Sequence, residues 1–470
     1  MPLNDSHSSR GRQGITTRAA HGLARQVPPA SRPVVLHGAV IVDATTDSRE
    51  PSTIVIVEGF ITDVASSDRA NIPAEALTIN LDGRFVIPGL WDMHVHQFDA
   101  DYLPFHLLNG VTGIRHMGGI PAHHQWREDL RTGRLTSPRM VLASPIIDGP
   151  QPLRPGSIAV HDAESARQAV TESRTAGADF LKIYNLIPQD AFAALVDEAR
   201  RNNIPYAGHL PLVTTLAETA AQGQASIEHL EGLLVAGARD ADRLQSEIAK
   251  LTVGSLAEMQ QVQDRVTQAA KQQDTARAEA ICAELATQGV WNTPTLAVLH
   301  ASATAGTDDF PLENLLDYVE PHLRPIWEQV TNAEVSHSQQ EQRRTLFETQ
   351  LDAVARLHRH GVGLLAGTDT FVPGFSLHDE LELFVRAGLS PLEALTTATY
   401  NPAAFFGVTD TFGTIQSGRV ADLVVLNSDP LEDITNTRRI SGVMLAGRYY
   451  DETALANLKT KTMASVRTTY

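Results

Sequence analysis

The chain has 470 residues, with 55 Asp plus Glu against 38 Lys plus Arg and a formal net charge of −17. So acidic a surface repels phosphate backbones and argues against nucleic acid as a partner. With one cysteine, Cys282, an internal disulfide and a cysteine-built zinc site are excluded. No apolar run is long enough to cross a bilayer, so a cytoplasmic protein with no membrane partner is expected.

Residues 1–33 hold five arginines, one acid and many Ser, Gly and Pro, without the apolar stretch of a secretory signal. They are expected to be a disordered basic tail, with an organelle-targeting segment as the alternative. From residue 34 the texture changes to short β-rich runs, "PVVLHGAVIVDA" and "STIVIVEGFITDVA". The far end repeats it in "GTIQSGRVADLVVLN" and "ISGVMLAGRYY". Segments 34–84 and 412–450 therefore predict one small β-sandwich domain, split in sequence and joined in space. Residues 451–470 are expected to be a C-terminal tail.

Between them, residues 85–411 alternate β-like runs with amphipathic helical ones. The candidate strands are 85–94, 112–117, 140–144, 180–184, 206–210, 226–230, 290–296 and 362–369. Eight strands alternating with helices predict an α/β fold, a (β/α)8 TIM barrel. In such barrels chemistry sits at the C-terminal strand ends.

That rule gives the histidines a context. "WDMHVH" places His94 and His96 two apart, hence on one face of a strand. Two such imidazoles either share a metal ion or are ordinary polar residues at a strand end. Further along, "FLKIY" carries Lys182, "YAGHL" His209, "IEHL" His229 and "LLAGTD" Asp369. Five predicted strands thus end in ionisable residues of ligand or near-ligand type, which independent bland roles explain poorly. Neutral imidazole and carboxylate suit zinc, and also manganese, iron or cobalt.

The ordered set H-x-H, Lys, His, His, Asp resembles the amidohydrolase superfamily. So do "VIPGLWDMHVH", "GVTGIRHMGG" and the closing "LSPLEALTTATYNPAAFFG…GTIQSGRVADLVVLNSDP". Within it the chain is most similar to imidazolonepropionase-like and prolidase-like members, a group that includes ochratoxin-cleaving enzymes. The resemblance implies a binuclear metal-dependent hydrolase of C–N amide bonds. His94, His96 and Asp369 would hold one divalent ion, His209 and His229 the other, and Lys182 would bridge them as a carbamate. Asp369 would also be the catalytic proton shuttle.

The expected partner is a small-molecule amide, an N-acyl amino acid, dipeptide-like or aromatic one, and the chain is expected to form a homo-oligomer. A lactone or cyclic-amide hydrolase with the same metals, and an inactive scaffold of this fold, are the competing readings. Tyr184, which shares the inward face of Lys182, is a candidate substrate contact. His116, where many relatives carry an acid, and His378 are two more. His123 and His124 read as loop surface. The loop "ASPIIDGPQPLRPGS" lacks the histidine that dipeptide-cleaving relatives carry there. Segments 231–288 and 300–358 are long for barrel connections, and serve either specificity or packing and assembly.

Overall fold

The structure is a computed structural model, and it describes residues 15, 22–46, 49–66, 69–255, 257–311, 313–332 and 334–468. Eight parallel strands follow one another in chain order: Leu90–Val95, Val111–His116, Arg139–Asp148, Phe180–Ile183, Tyr206–Gly208, Ser226–Glu228, Trp291–Thr293 and Gly363–Leu364. Each pairs with the next. Backbone bonds from Met93 N–H to the Ala366 carbonyl (2.8 Å) and from Asp369 N–H to the His94 carbonyl (2.9 Å) join the eighth segment to the first. The sheet is thereby closed, as the eight predicted runs require.

Helices fill the connections, and their starts are written locally. Asp162 with Ser165, Thr215 with Glu218 and Ser390 with Glu393 form reciprocal capping boxes. The segment after the sixth strand holds Leu233–Ala236, Ala241–Ile248, Gln260–Lys271 and Thr275–Gln288. The long helix after the seventh strand, His337–Arg359, buries Phe347, Leu351, Val354 and Leu357. No helix among the described residues is long and apolar enough to cross a membrane.

The small domain unites both chain ends, as expected. Its sheet runs through Arg448–Asp451, Ile440–Leu445, Leu423–Leu426, Phe85–Pro88, Val34–Ile41, Ser52–Val57 and Phe60–Ser66, with Leu77–Asn80 beside Val34–Ile41. Within Val34–Ile41, residues 34–39 pair with Ser52–Val57 and 34–37 with Leu77–Asn80, while Val40 and Ile41 pair with Phe85–Pro88. The sheet folds at that strand over a core of Leu36, Ile54, Ile56, Val86, Leu423 and Met444.

Three expectations change. The run 85–94 is two strands in two sheets: Phe85–Pro88 belongs to the small domain, antiparallel to Leu423–Leu426, and the barrel begins at Leu90. Pro88–Gly89 is the break, and Gly89 is tight, since a Cβ there would lie 2.1 Å from the Thr112 hydroxyl oxygen. The basic segment is not all tail. Leu23–Gln26 is a turn of 3-10 helix, and Ile15 and Leu23 are fully buried beside Trp91, Phe180, Trp291 and Phe405. The rest of 1–21 lies outside the described residues. At the other end, Glu452–Thr468 is a helix, with Val466 packed on Tyr102 and Phe105.

Candidate active site

The C-terminal ends of the strands converge on Asp369. Its Oδ1 lies 3.6 Å from His94 Nε2 and 3.5 Å from His96 Nε2, and its Oδ2 lies 3.7 Å from His229 Nε2. Ligand atoms of His94, His96 and Asp369 all fall within 4.8 Å of one another, a set able to hold a metal ion. Alternation on the first strand puts His94 and His96 on one side, rings 5.3 Å apart. The His209 ring lies 4.8 Å from the His229 ring, which is 4.8 Å from that of His94. Asp369 stands five residues beyond the last strand residue, Leu364, and is carried inward by its backbone bond to His94.

The imidazoles are held from behind. His94 Nδ1–H donates to Glu228 Oε2 (2.9 Å). His209 Nδ1–H faces Asn185 Oδ1 and Glu231 Oε1, both at 2.8 Å. The Asn185 amide is oriented by its own donation to the Leu210 carbonyl. The Thr295 hydroxyl donates to the Pro294 carbonyl, so it accepts from His229 Nδ1–H at 2.7 Å. Each Nδ1 therefore carries the proton, and each Nε2 lone pair is free to face the cluster. His94 Nε2 is buried and has no hydrogen-bond partner among the described residues. Thr295 precedes helix Leu296–Thr304 but does not cap it. The buried Glu380 takes that place, accepting from Ala297 N–H at 2.6 Å.

Beneath His94 lies a buried ion pair. Arg115 donates to both Glu228 oxygens (3.0 and 2.9 Å), to the Met93 carbonyl (2.6 Å) and to Ser226 and Thr293. Buried Asp92 accepts from the backbone N–H groups of His94 and Thr368 and from the Thr368 hydroxyl, tying the first strand to the approach to Asp369. His229, Leu230, Thr295 and Asp369 have φ between +50° and +60°, half of the eight non-glycine residues so placed among those described. Such backbone is costly and persists where surrounding structure fixes it.

Lys182 is fully buried and its Nζ has no partner among the described residues. Burial pushes its ammonium down to about 8, against the pull of Glu228 and Asp369. Burial, reinforced by the Lys182 charge, holds His94, His96, His209 and His229 well below the ordinary imidazole range. Enclosure raises Asp369 to about 6, while Lys182 and Arg154 oppose the rise. Gly208 separates Lys182 from His209 at φ +135°, where a Cβ would stand 2.4 Å from the Ile183 carbonyl oxygen. Only glycine lets the fourth and fifth strands bring those residues this close.

The remaining candidates divide. The Tyr184 ring stacks on His209 with centroids 4.0 Å apart, and its hydroxyl accepts from Arg154 Nε at 3.3 Å. His116, expected to contact substrate, is instead fully buried behind the first strand. Its Nε2 accepts from Gln97 N–H (3.0 Å). His123, expected on the loop surface, lies on helix Pro121–Arg131 and is fully buried, 3.8 Å from the His116 ring. Its Nδ1 accepts from Ile120 N–H, so its Nε2–H donates to the Gln97 carbonyl at 2.9 Å. The two rings thus hold the residue that follows His96. His124 is half-buried. His378 is away from the cluster, 1% exposed, with Nδ1 3.0 Å from the Thr437 hydroxyl.

Sequence reasoning did not single out Asp92, Arg115, Glu228, Glu231, Asn185, Thr295 or Arg154. Asp92, two before His94 on the same face, was the one with a readable signal. Glu320 was also missed: from the segment after the seventh strand it accepts from Phe98 N–H (2.9 Å), Asp99 N–H (3.3 Å) and the Gln97 amide.

Comparison with known proteins agrees with this geometry. The Amidohydrolase family profile matches residues 85–449. The chain belongs to the amidohydrolase family. Its fold is a mixed α/β barrel with an attached sheet domain. Imidazolonepropionase from Pseudomonas syringae pv. tomato is 35% identical over 94 residues, 19% of this chain and 23% of that protein. Ochratoxinase from Aspergillus niger is 37% identical over 91 residues, 19% of each chain. The matches thus span about a quarter or less of these relatives. A bottromycin amidohydrolase structure aligns over 97% of this chain and 96% of its own, with a TM-score of 0.71 and 24% identity, a likeness of fold.

Proposed function

We propose that this amidohydrolase is a binuclear metal-dependent enzyme that cleaves a C–N amide bond in a small molecule. One observation carries the reading. The imidazoles of His94, His209 and His229 are turned by acceptors on Nδ1, with the Nε2 atoms of His94 and His229 beside Asp369, and the buried Nζ of Lys182 has no partner among the described residues. Such a donor set fits divalent cations, because neutral imidazoles and a carboxylate are ready ligands and need lose no proton. His94, His96 and Asp369 would hold one ion and His209 and His229 a second. Lys182, as a carbamate, would bridge them. A bare ammonium would repel the ions, and a group already softened to about 8 by burial is suited to react with carbon dioxide. Zinc is the first choice by donor type, with manganese, iron and cobalt compatible.

When bound, divalent ions supply activated water near neutral pH and polarise a carbonyl. The chain's own residues do the rest. Asp369 holds the proton that leaves the attacking water and passes it to the departing nitrogen. A carboxylate placed among these groups can accept a proton and return it. Glu228, Thr295, Asn185 and Glu231 keep the imidazoles oriented. Tyr184, stacked on His209, borders the space beside them and is positioned for substrate contact.

The test is elemental analysis with activity on amides, after expression with zinc or manganese supplied. About two metal equivalents per chain are expected. His94→Ala should lose most of its metal and at least a thousandfold in kcat. Lys182→Ala should lower occupancy, with partial rescue by a short carboxylic acid. Trace metal in an active wild-type protein would overturn the reading.

A further inference from the structure

Arg154 stands apart from the chain's other site-facing groups. It lies in the loop after the third strand, exposed to solvent, and its Nε donates to the Tyr184 hydroxyl at 3.3 Å. Its two Nη groups have no partner, and no carboxylate lies within ion-pair distance of it, among the described residues. In this chain, where acids outnumber bases 55 to 38, Arg127, Arg139 and Arg438 each meet a carboxylate, and Arg154 does not. Its charge nevertheless reaches His96, His209 and Asp369.

The loop that carries Arg154 is built. Asp148, at the end of the third strand, is fully buried. Its Oδ2 accepts from Leu153 N–H (3.1 Å) and its Oδ1 from Leu186 N–H (2.8 Å). One carboxylate therefore ties the residue before Arg154 to the segment just after Tyr184. Gly149 presses on the same segment, where a Cβ would lie 2.0 Å from the Leu186 carbonyl oxygen. Leu153 and Leu186 then pack together on the core of the segment after the sixth strand, against Val235, Leu244, Val253 and Val262. Arg154 and Tyr184 are held as a unit, and the long insertion braces it. A guanidinium fixed in place with an open fork matches a planar anion in two-point geometry.

We propose that Arg154 is a specificity-determining residue that binds a carboxylate carried by the substrate beside its scissile amide. The proposal rests on the amide-hydrolase reading for the reaction, but the anion site itself does not. It makes the substrate an acidic amide, with the acid at the side of the third and fourth strands. It also gives the insertion after the sixth strand a role in specificity, transmitted through Leu153 and Leu186.

Two arms test it on the full-length, metal-replete protein, with metal content and melting temperature measured for each variant. In the binding arm, calorimetry compares 3-phenylpropionate with 3-phenylpropanamide. Wild type should bind the acid more tightly, and Arg154→Met should lose about ten- to a hundredfold of that preference. Arg154→Lys should recover part of it. In the kinetic arm, acetate release from N-acetyl-L-phenylalanine is compared with release from its primary amide. The ratio of kcat/KM values should fall by a similar factor in Arg154→Met. An acid preference equal in wild type and Arg154→Met at equal metal content overturns the proposal, as does a wild-type protein with no measurable preference for the acid. Arg154-dependent binding without hydrolysis of either compound would sustain the anion site and count against the amide-hydrolase reading. Hydrolysis indifferent to Arg154 would do the reverse.

Discussion

The two ends of the barrel use buried charge in opposite ways. At the N-terminal end, Arg139 is fully buried and donates through Nε and Nη2 to both oxygens of Asp422 (2.6 and 3.0 Å). Its Nη1 serves the carbonyls of Leu23 and Ala24. Gln26 matches the backbone of Met140, donating to its carbonyl and accepting from its N–H. Ile15 and Leu23 cover the apolar floor. At the C-terminal end, His94 Nε2 and Lys182 Nζ are buried without partners among the described residues, and four residues hold left-handed backbone. One end is satisfied and closed, the other unsatisfied and strained. The first pattern belongs to stability, the second to a site prepared for something absent from the chain itself.

If that contrast is right, damage at the two ends should separate cleanly. The largest effect on stability is expected from Arg139→Met. It leaves Asp422 buried without its cation, a loss of about 3–5 kcal/mol for a broken buried pair. Denaturant unfolding should report the loss, while the folded fraction keeps its metal content and its kcat per bound metal. A variant that unfolds normally but loses metal would show that the two ends are coupled, and the division would fail.

The same contrast explains what the sequence made legible. His94, His96, Lys182, His209, His229 and Asp369 were readable because a barrel places its chemistry at strand ends, and strand ends can be found from local pattern. Their supports were not. His94 and Glu228 are 134 residues apart, and Arg139 and Asp422 are 283 apart. Those pairings exist only once the topology brings the strands together. The floor was hidden differently. Ile15 and Leu23 sit among arginines, serines and glycines, so composition reads as tail although the barrel supplies their apolar partners. The run 85–94 misled because it is apolar on both sides of Pro88–Gly89, and only the break distinguishes two sheets from one strand. His378 misled because nearness in sequence to Asp369 ignores the helix that carries it outward, to Thr437.

A finer cut lies within the C-terminal end, between residues that hold metal and residues that aim them. Thr295 is the cleanest of the second kind. Its hydroxyl orients His229, and because Glu380 caps the following helix, removing that hydroxyl uncovers no helix end. Thr295→Ala should weaken metal binding about 10–100-fold, the usual effect of losing such a support. Stability of the metal-free protein should fall far less than in Arg139→Met. Metal titration followed by calorimetry measures both. Unchanged affinity would mean that the His229 ring is held by packing alone.

The smallest effect concerns the rim, where Glu320 reaches in from the segment after the seventh strand. It is 1% exposed, and burial raises its carboxyl to about 7, although Phe98 N–H, Gln97 and Asp99 N–H favour the ionised form. The folded value lies above the ordinary one, so the folded protein holds this proton longer than the unfolded chain does. Below about pH 4.5 both states are protonated and the residue contributes no pH dependence. Between there and about pH 7 the unfolded chain ionises first, so stability falls as pH rises. Above about pH 7 the cost is complete. Glu320→Gln keeps an acceptor oxygen for the Phe98 and Asp99 N–H groups but cannot ionise. The melting temperature of the variant relative to wild type should therefore climb from pH 4.5 to 7 and then level off. The gain should be on the order of 1 kcal/mol, because relaxation and water near the mouth soften the cost of a buried charge. Both proteins should be metal-free and scanned at matched ionic strength. A gap that stays flat across this range would mean that Glu320 is as well satisfied as the pairs at the barrel floor. The tension at the C-terminal end would then stop at the imidazoles and Lys182 and not extend to its rim.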